Sequence, residues 1–219
     1  MSLEEQIIHQ YAKRNINSNL YAGGYYVDYS QKEIIKNIST YLNKEFIDYK
    51  KLRLLEIGAG NGTNADFFLN LGFQIQNIYF NELIPERVLA IKSNYPNNIV
   101  FEGNALEIDF NEKFDIIFQS TVFTSILNQI DRERLAEKML NLLNPNGIIL
   151  WYDFIYNNPK NKDVRKVDDK ELKILFARAS KIYYKKITLA PPIGRKVKIL
   201  YKMFNISILR SHILAVIKK

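Results

Sequence analysis

The chain contains no cysteine and only two histidines, His9 and His212. Disulfides, thiolate zinc sites and a cysteine nucleophile are therefore excluded, and a histidine-rich metal centre has too few ligands, so no metal is expected. No uncharged apolar stretch reaches the roughly 18–20 residues that a membrane-spanning helix needs. The opening, MSLEEQIIHQYAKR, carries acids where a signal peptide would be basic and then apolar. A cytoplasmic protein with no transmembrane segment is the expectation. Internal repeats, low-complexity runs and Pro/Gly-rich linkers are missing too. Nothing in the composition divides the 219 residues, and residues 1–219 are expected to form one domain with a full-sized core.

What is present is an ordinary globular balance, 47% hydrophobic and 25% charged, with an uneven distribution of sign. Residues 1–156 hold 14 Lys+Arg against 19 Asp+Glu, and residues 157–219 hold 17 against 4, which gives −5 and +13. A basic segment of that kind suits an acidic small molecule, nucleic acid or anionic lipid, or it is a solvated surface.

Apolar residues recur at helical spacing over 3–14 (Ile7, Ile8, Tyr11) and 31–44 (Ile34, Ile35, Ile38, Leu42), with a tyrosine-rich turn, YAGGYYVDYS, between them. From residue 52 short β-branched runs alternate with amphipathic segments. LRLLEI, QIQNIYF, NIVFE, FDIIFQ and GIILWYDF read as strands, and helices are predicted over 62–70, 85–94 and 131–143. Near-continuous apolar strands alternating with helices imply βαβ units and a parallel sheet covered on both faces. After a polar stretch over 156–168 and a helix over 169–178, KIYYKKITL and ILRSHILAVIKK are two further strands.

The most informative string is LLEIGAGNGTNADFF, residues 54–68: a buried strand, a turn with Gly58, Gly60 and Gly62, then a helix. Such glycines permit backbone angles that other residues avoid and let a ligand approach the main chain, while the following helix offers free N–H groups. A dinucleotide fingerprint would need its third glycine at position 63, which is Thr63; the match is to E-x-G-x-G-x-G. Glu82 closes the next strand, 24 residues after Gly58, where an α/β nucleotide fold places the carboxylate that accepts hydrogen bonds from both ribose hydroxyls.

In that order and at that spacing these residues resemble the class I S-adenosylmethionine-dependent methyltransferases, over roughly residues 50–155 and more loosely over the last two strands. The resemblance implies a Rossmann-like seven-stranded sheet of order 3-2-1-4-5-7-6, strand seven antiparallel, with helices on both faces. It implies S-adenosylmethionine as cofactor, with the homocysteine form as product. Glu56, Gly58, Ala59, Gly60 and Gly62 would cradle the methionine part, and Glu82 with Leu83 the ribose. FEGNAL resembles the family's G-D-A segment with Asn104 in place of aspartate, so Asn104 and Ala105 would meet the adenine, Asn104 through its carbonyl oxygen. FDIIFQST puts Gln119 and Ser120 against the cofactor. The N/D-P-P-Y/F tetrad of many amino-methyltransferases is replaced by QSTV at 119–122, and APPI and NNP lie outside strand four.

Ligands in an open parallel sheet sit beyond the carboxyl ends of the strands. Thr121 and Phe123 after strand four, and Asp153, Tyr156, Asn157 and Asn158 after strand five, are the acceptor-side candidates. The expected strand order brings Arg195, Arg210 and His212 to the same edge, joined by Arg165, a cluster suited to phosphate or carboxylate. His212 is the candidate general base and Asp153 its rival. Residues 1–45 would form a helical lid, with Tyr29 or Arg14 reaching the cofactor. The leading expectation is O-methylation of a small or carbohydrate-like acceptor that can bear an anionic group, in polysaccharide or secondary-metabolite chemistry. Two readings stand beside it: a nucleic-acid methyltransferase gripping RNA with the basic third, and a non-catalytic protein that keeps the cofactor pocket. A helix over 196–204 lying on anionic lipid is a further reading of the basic segment. Oligomeric state is not legible.

Overall fold

A computed structural model describes residues 3–15, 24–159 and 161–219. Its centre is a seven-stranded sheet of order β3-β2-β1-β4-β5-β7-β6, as expected. The strands are β1 (Leu54–Ile57), β2 (Ile78–Glu82), β3 (Val100–Glu102), β4 (Phe114–Ser120), β5 (Leu143–Phe154), β6 (Lys181–Leu189) and β7 (Arg210–Lys218). β1 lies parallel between β2 and β4, with Leu54 opposite both Ile78 and Ile116. β7 runs antiparallel between β5 and β6. β1 and β2 are buried along their whole length, which is why their sequences read as unbroken apolar runs rather than alternating ones.

Eight α-helices are described: α1 (Leu3–Asn15), α2 (Tyr25–Glu45), α3 (Ala65–Leu71), α4 (Pro85–Asn94), α5 (Gln129–Leu142), α6 (Asp169–Leu175), α7 (Pro191–Val197) and α8 (Tyr201–Phe204). α2, α3 and α4 cover one face of the sheet, packing Ile38, Leu42, Phe68 and Ile91 on Phe80, Phe118 and Leu150. α5 and α6 cover the other, packing Leu135, Met139, Leu172 and Phe176 on Ile117, Trp151 and Ile213. α1 adds Leu3 and Ile7 to that second layer. Burying a leucine-sized side chain contributes about 1.5–3 kcal/mol, so these two layers supply most of the drive to fold.

Several local expectations change. The tyrosine-rich segment is helical from Tyr25, so α2 begins six residues before the predicted start, behind Gly24 at φ 119. Residues 21–23 and the side chain of Arg14 lie outside the described residues. QIQNIYF is a 3₁₀ turn over Ile75–Asn77 and only then a strand. The helix predicted over 196–204 is broken: Lys198 takes φ 44 and separates α7 from α8.

Candidate active site

The direction of chain progression reverses between β1 and β4, and the crevice for ligands opens there. β1 delivers the chain into the turn with Gly58 at φ 64, Gly60 at φ 58 and Gly62 at φ 78, all left-handed. A Cβ on Gly58 would stand 2.5 Å from Val122 Cγ2, so the loop after β4 can approach only because residue 58 has no side chain. A Cβ on Gly60 would meet nothing within 4 Å, because the backbone there borders open space.

Glu82, at the end of β2, is buried to 4% exposure. Its Oε2 accepts from the Gly60 N–H at 2.7 Å and its Oε1 from the Leu83 and Ile84 N–H groups at 2.9 Å each. Three backbone donors thus orient one carboxylate across the turn, and Oε2, with a single donor, keeps a lone pair for a further one. Glu56 is also buried; its Oε1 accepts from the Asn64 amide at 2.7 Å, and its Oε2 has no partner. Burial, against the Asn64 hydrogen bond and helped by the nearby Glu82, pushes Glu56 up to about 8. A cationic amino group placed beside Oε2 would favour the ionised form.

A cleft opens beside these groups, lined by Gly58, Glu82, Leu83, Asn104, Ala105 and Ser120 among the predicted cofactor contacts. Asn104 does so with a difference. Its Oδ1 caps the turn that follows, accepting from the Leu106 N–H at 3.0 Å, which leaves its amide, a donor, as the freer end. Gln119 does not line the cleft. Its amide donates to the Tyr152 carbonyl and its oxygen accepts from the Val122 N–H, so it shapes the loop after β4. Thr121 holds φ 59, unusual for a β-branched residue, and Thr188 on β6 holds φ 61. Both join Tyr152: the Thr121 N–H donates to its carbonyl, and its hydroxyl donates to Thr188 Oγ1 at 3.0 Å.

Sequence reasoning expected a helical lid over residues 1–45 but named Tyr29 and Arg14 rather than the α1 side chains of the far wall. Leu3, Ile7 and Tyr11 of α1 close the cleft, Arg87 stacks 4.2 Å over the Tyr11 ring, and Gln6 donates to the Ser125 carbonyl. Gln10 on the same helix is 2% exposed, and neither end of its amide has a partner. A signal existed, since residue 10 falls on the stripe of Leu3 and Ile7, where an amphipathic helix wants an apolar side chain.

The expected acceptor-side cluster divides between the two faces. Arg165 belongs to the α5 face, where its Nη2 donates to Gln129 and Glu171. Arg210 lies across the sheet, its guanidinium donating to Asn205 and the Lys186 carbonyl. Arg195 is exposed on α7 beside Tyr26. The physical reason is pleating: Asp153 pairs with Ile213 and points to the α5 layer, whereas its neighbour Phe154 pairs with His212 and points to the α2 layer. His212 and Asp153 therefore occupy opposite faces. His212 stacks 4.7 Å from Tyr152 at 3° and lies 3.9 Å from Phe154, with the Ser211 hydroxyl 3.0 Å from Nδ1. Burial lowers its pKa to about 3. Asp153 is fully buried, accepts from the Thr124 and Phe154 N–H groups, and is pushed up to about 6, chiefly by burial. Tyr156, Asn157 and Asn158 are exposed. Tyr29 packs on Tyr201 at 5.3 Å.

One device binds the two acceptor-side loops. Arg132 of α5 is fully buried; it donates to the carbonyls of Ile126, Arg165 and Lys166 and pairs with Glu171 at 2.7 Å. The connections after β4 and β5 are thereby clamped to one guanidinium.

A sheet of this order, with a three-glycine turn after its first strand and an oriented carboxylate after its second, defines the class I methyltransferases. Residues 55–151 match the family model described as a methyltransferase domain. That segment is similar to a methyltransferase domain, and the sheet around it has the class I methyltransferase fold. Solved structures agree in fold. A TehB-like SAM-dependent methyltransferase from Corynebacterium glutamicum superposes with a TM-score of 0.59 at 14% identity, covering 96% of this chain and 97% of that one. SAM-bound CalS10 from Micromonospora echinaspora, an amino pentose methyltransferase of calicheamicin biosynthesis, gives 0.61 at 12%, covering 94% and 96%. A methyltransferase from Clostridium acetobutylicum gives 0.62 at 10%, covering 86% and 91%. No curated protein matches the sequence. The residues present fit the cofactor: the oriented acid Glu82 lines the cleft with Gly58, and the same turn carries Gly60, with open space at its backbone, and follows Glu56, whose Oε2 has no partner among the described residues.

Proposed function

We propose that the enzyme methylates a hydroxyl of a small, carbohydrate-like acceptor, one that can bear an anionic group. The observation that carries this reading is the environment of His212. Its ring is neutral at physiological pH, because burial disfavours the cation and no carboxylate among the described residues is bonded to it. His212 is 3% exposed and does not line the cleft, so in this reading the acceptor reaches its Nε2 from the α2 face of the carboxyl edge, where a neutral imidazole can accept a hydrogen bond from a hydroxyl, orient it, and take its proton as the new bond forms. Asp153, with its oxygens engaged, is assigned to holding the Thr124 loop.

The cofactor supplies a methyl group on a sulfonium centre, open to in-line displacement. In this reading Glu56 meets the amino group, Gly58 to Gly62 with Ala59 the methionine chain, Glu82 and Leu83 the ribose, and Asn104 with Ala105 the adenine. Ser120 and Thr121 border the reacting atoms, and Tyr156 the acceptor. Arg195, whose guanidinium makes no ion pair among the described residues, supplies the cation for an acidic acceptor, with Arg210 and Arg165 steadying the walls. Residues 1–45 act as lid, 50–155 bind cofactor and 156–219 shape the acceptor side of one unit. CalS10 is a sugar methyltransferase by its description, and the proposed acceptor has that chemistry.

The test is methyl transfer to a panel of hexoses, deoxysugars and hexuronic acids, followed by release of S-adenosylhomocysteine and location of the methyl group. A methyl ether is expected, and His212→Phe should lower kcat roughly 100-fold or more with cofactor affinity unchanged. Methylation on nitrogen, or full kcat in His212→Phe, refutes the reading. Tight cofactor binding with no turnover on any acceptor would instead support a non-catalytic role.

A further inference from the structure

The crossover from β6 to β7 lies at the carboxyl edge of the parallel strands and turns itself inside out. A surface segment of this kind ordinarily buries its aliphatic side chains and gives its polar ones to water. Here the polar groups anchor it inward. The Tyr201 hydroxyl, on a residue 2% exposed, accepts from the Leu189 N–H and donates to Glu33; the Asn205 amide donates to Glu33 at 2.8 Å, and its Oδ1 accepts from Arg210. The aliphatic groups point outward. Ile199 is 71% exposed, Met203 73%, Ile206 53% and Ile208 80%, and Leu200 and Phe204 are also exposed. An apolar display held in place by this many bonds is a built surface, and such surfaces mark interaction sites.

Its charge selects the partner. Lys196, Lys198 and Lys202 are exposed among these residues, and no acid occurs from Leu172 to the end of the chain, against 12 Lys+Arg. A two-fold contact with a second copy would set the same cations against each other. Single-stranded nucleic acid would call for a series of aromatic platforms, and of these six exposed side chains Phe204 alone is aromatic. Aliphatic groups for the acyl boundary, ringed by lysines for phosphate headgroups, match an anionic bilayer. We propose that residues 196–208 dock the enzyme on an anionic phospholipid surface, which sets the carboxyl edge of the sheet against the membrane. This holds whatever the acceptor is.

The full-length protein should co-sediment with vesicles of phosphatidylcholine mixed with phosphatidylglycerol, weakly with phosphatidylcholine alone, and less as salt rises. Replacing Lys196, Lys198 and Lys202 together by glutamine should lower partitioning by roughly 100-fold, about fivefold for each charge near the surface. The triple variant Ile199→Ser, Met203→Ser, Ile208→Ser should abolish most binding while leaving affinity for S-adenosylhomocysteine unchanged, which shows that the fold survives. Equal binding to both vesicle types, or wild-type partitioning in both variants, overturns the proposal. So does a homodimer in light scattering that the serine variant dissolves, or salt-sensitive RNA binding with no vesicle binding.

Discussion

Replacing Glu56 by glutamine should flatten the pH dependence of stability in the ligand-free enzyme. The Glu56 carboxyl is raised from an ordinary 4.5 to about 8, so the native state keeps a proton that the unfolded chain has already released. Its contribution is therefore favourable at low pH, declines as pH rises above the ordinary value, and levels off above the native one. At about 1.4 kcal/mol per unit, the native state loses about 2 kcal/mol between roughly pH 6 and pH 8. For a chain of this size that is roughly 4–8 °C in Tm. Differential scanning fluorimetry across that range should show the decline in the wild type and not in Glu56→Gln. A cationic amino group beside the unpartnered Oε2 reverses the preference, so binding S-adenosylhomocysteine near neutrality should expel about one proton. Calorimetry in two buffers of different ionisation enthalpy measures that release. Parallel Tm slopes for the two proteins, or a binding enthalpy that ignores the buffer, would refute the reasoning.

Gly58→Ala should be damaging, because the new methyl meets Val122 at 2.5 Å in a left-handed conformation; overpacking and strain together cost about 2–5 kcal/mol, read from thermal melts. Gly60→Ala, with open space around it, should cost only about 1–2 kcal/mol yet weaken cofactor binding, a contrast that calorimetry checks. Arg132→Ala removes the donor that serves three carbonyls and Glu171 and should destabilise by about 3–5 kcal/mol, with faster hydrogen exchange in the loops after β4 and β5. Gln10→Leu should raise the Tm of the free enzyme, since an unsatisfied buried amide costs about 1–3 kcal/mol, and should shrink the stabilisation gained on binding ligand. A lower Tm would show that the amide is satisfied in solution.

The glycine turn and its two carboxylates were readable because they are local in the chain. Glu56, Gly58 and Gly60 lie within one strand–turn, and Glu82 closes the next strand, so spacing along the sequence nearly equals position in space. Asn104 lines the cleft, but the emphasis on its two ends reverses, since the cap claims the oxygen. Strand order followed from the resemblance to a family rather than from periodicity. The acceptor side was poorly readable for the opposite reason. Arg165, Arg195, Arg210 and His212 all belong to the carboxyl edge by topology, yet which face each takes depends on pleat and register.

By itself, then, the sequence determined the βα alternation, the glycine turn and its paired carboxylates, since backbone sterics and hydrophobic period act between near neighbours. Tertiary structure alone decided that α1 walls the cleft, that Asp153 and His212 are divided by the sheet, and that the last crossover faces its aliphatic side chains outward. Those outcomes hang on which distant segments pack together, and no run of adjacent residues encodes the sidedness of a contact made more than a hundred positions away.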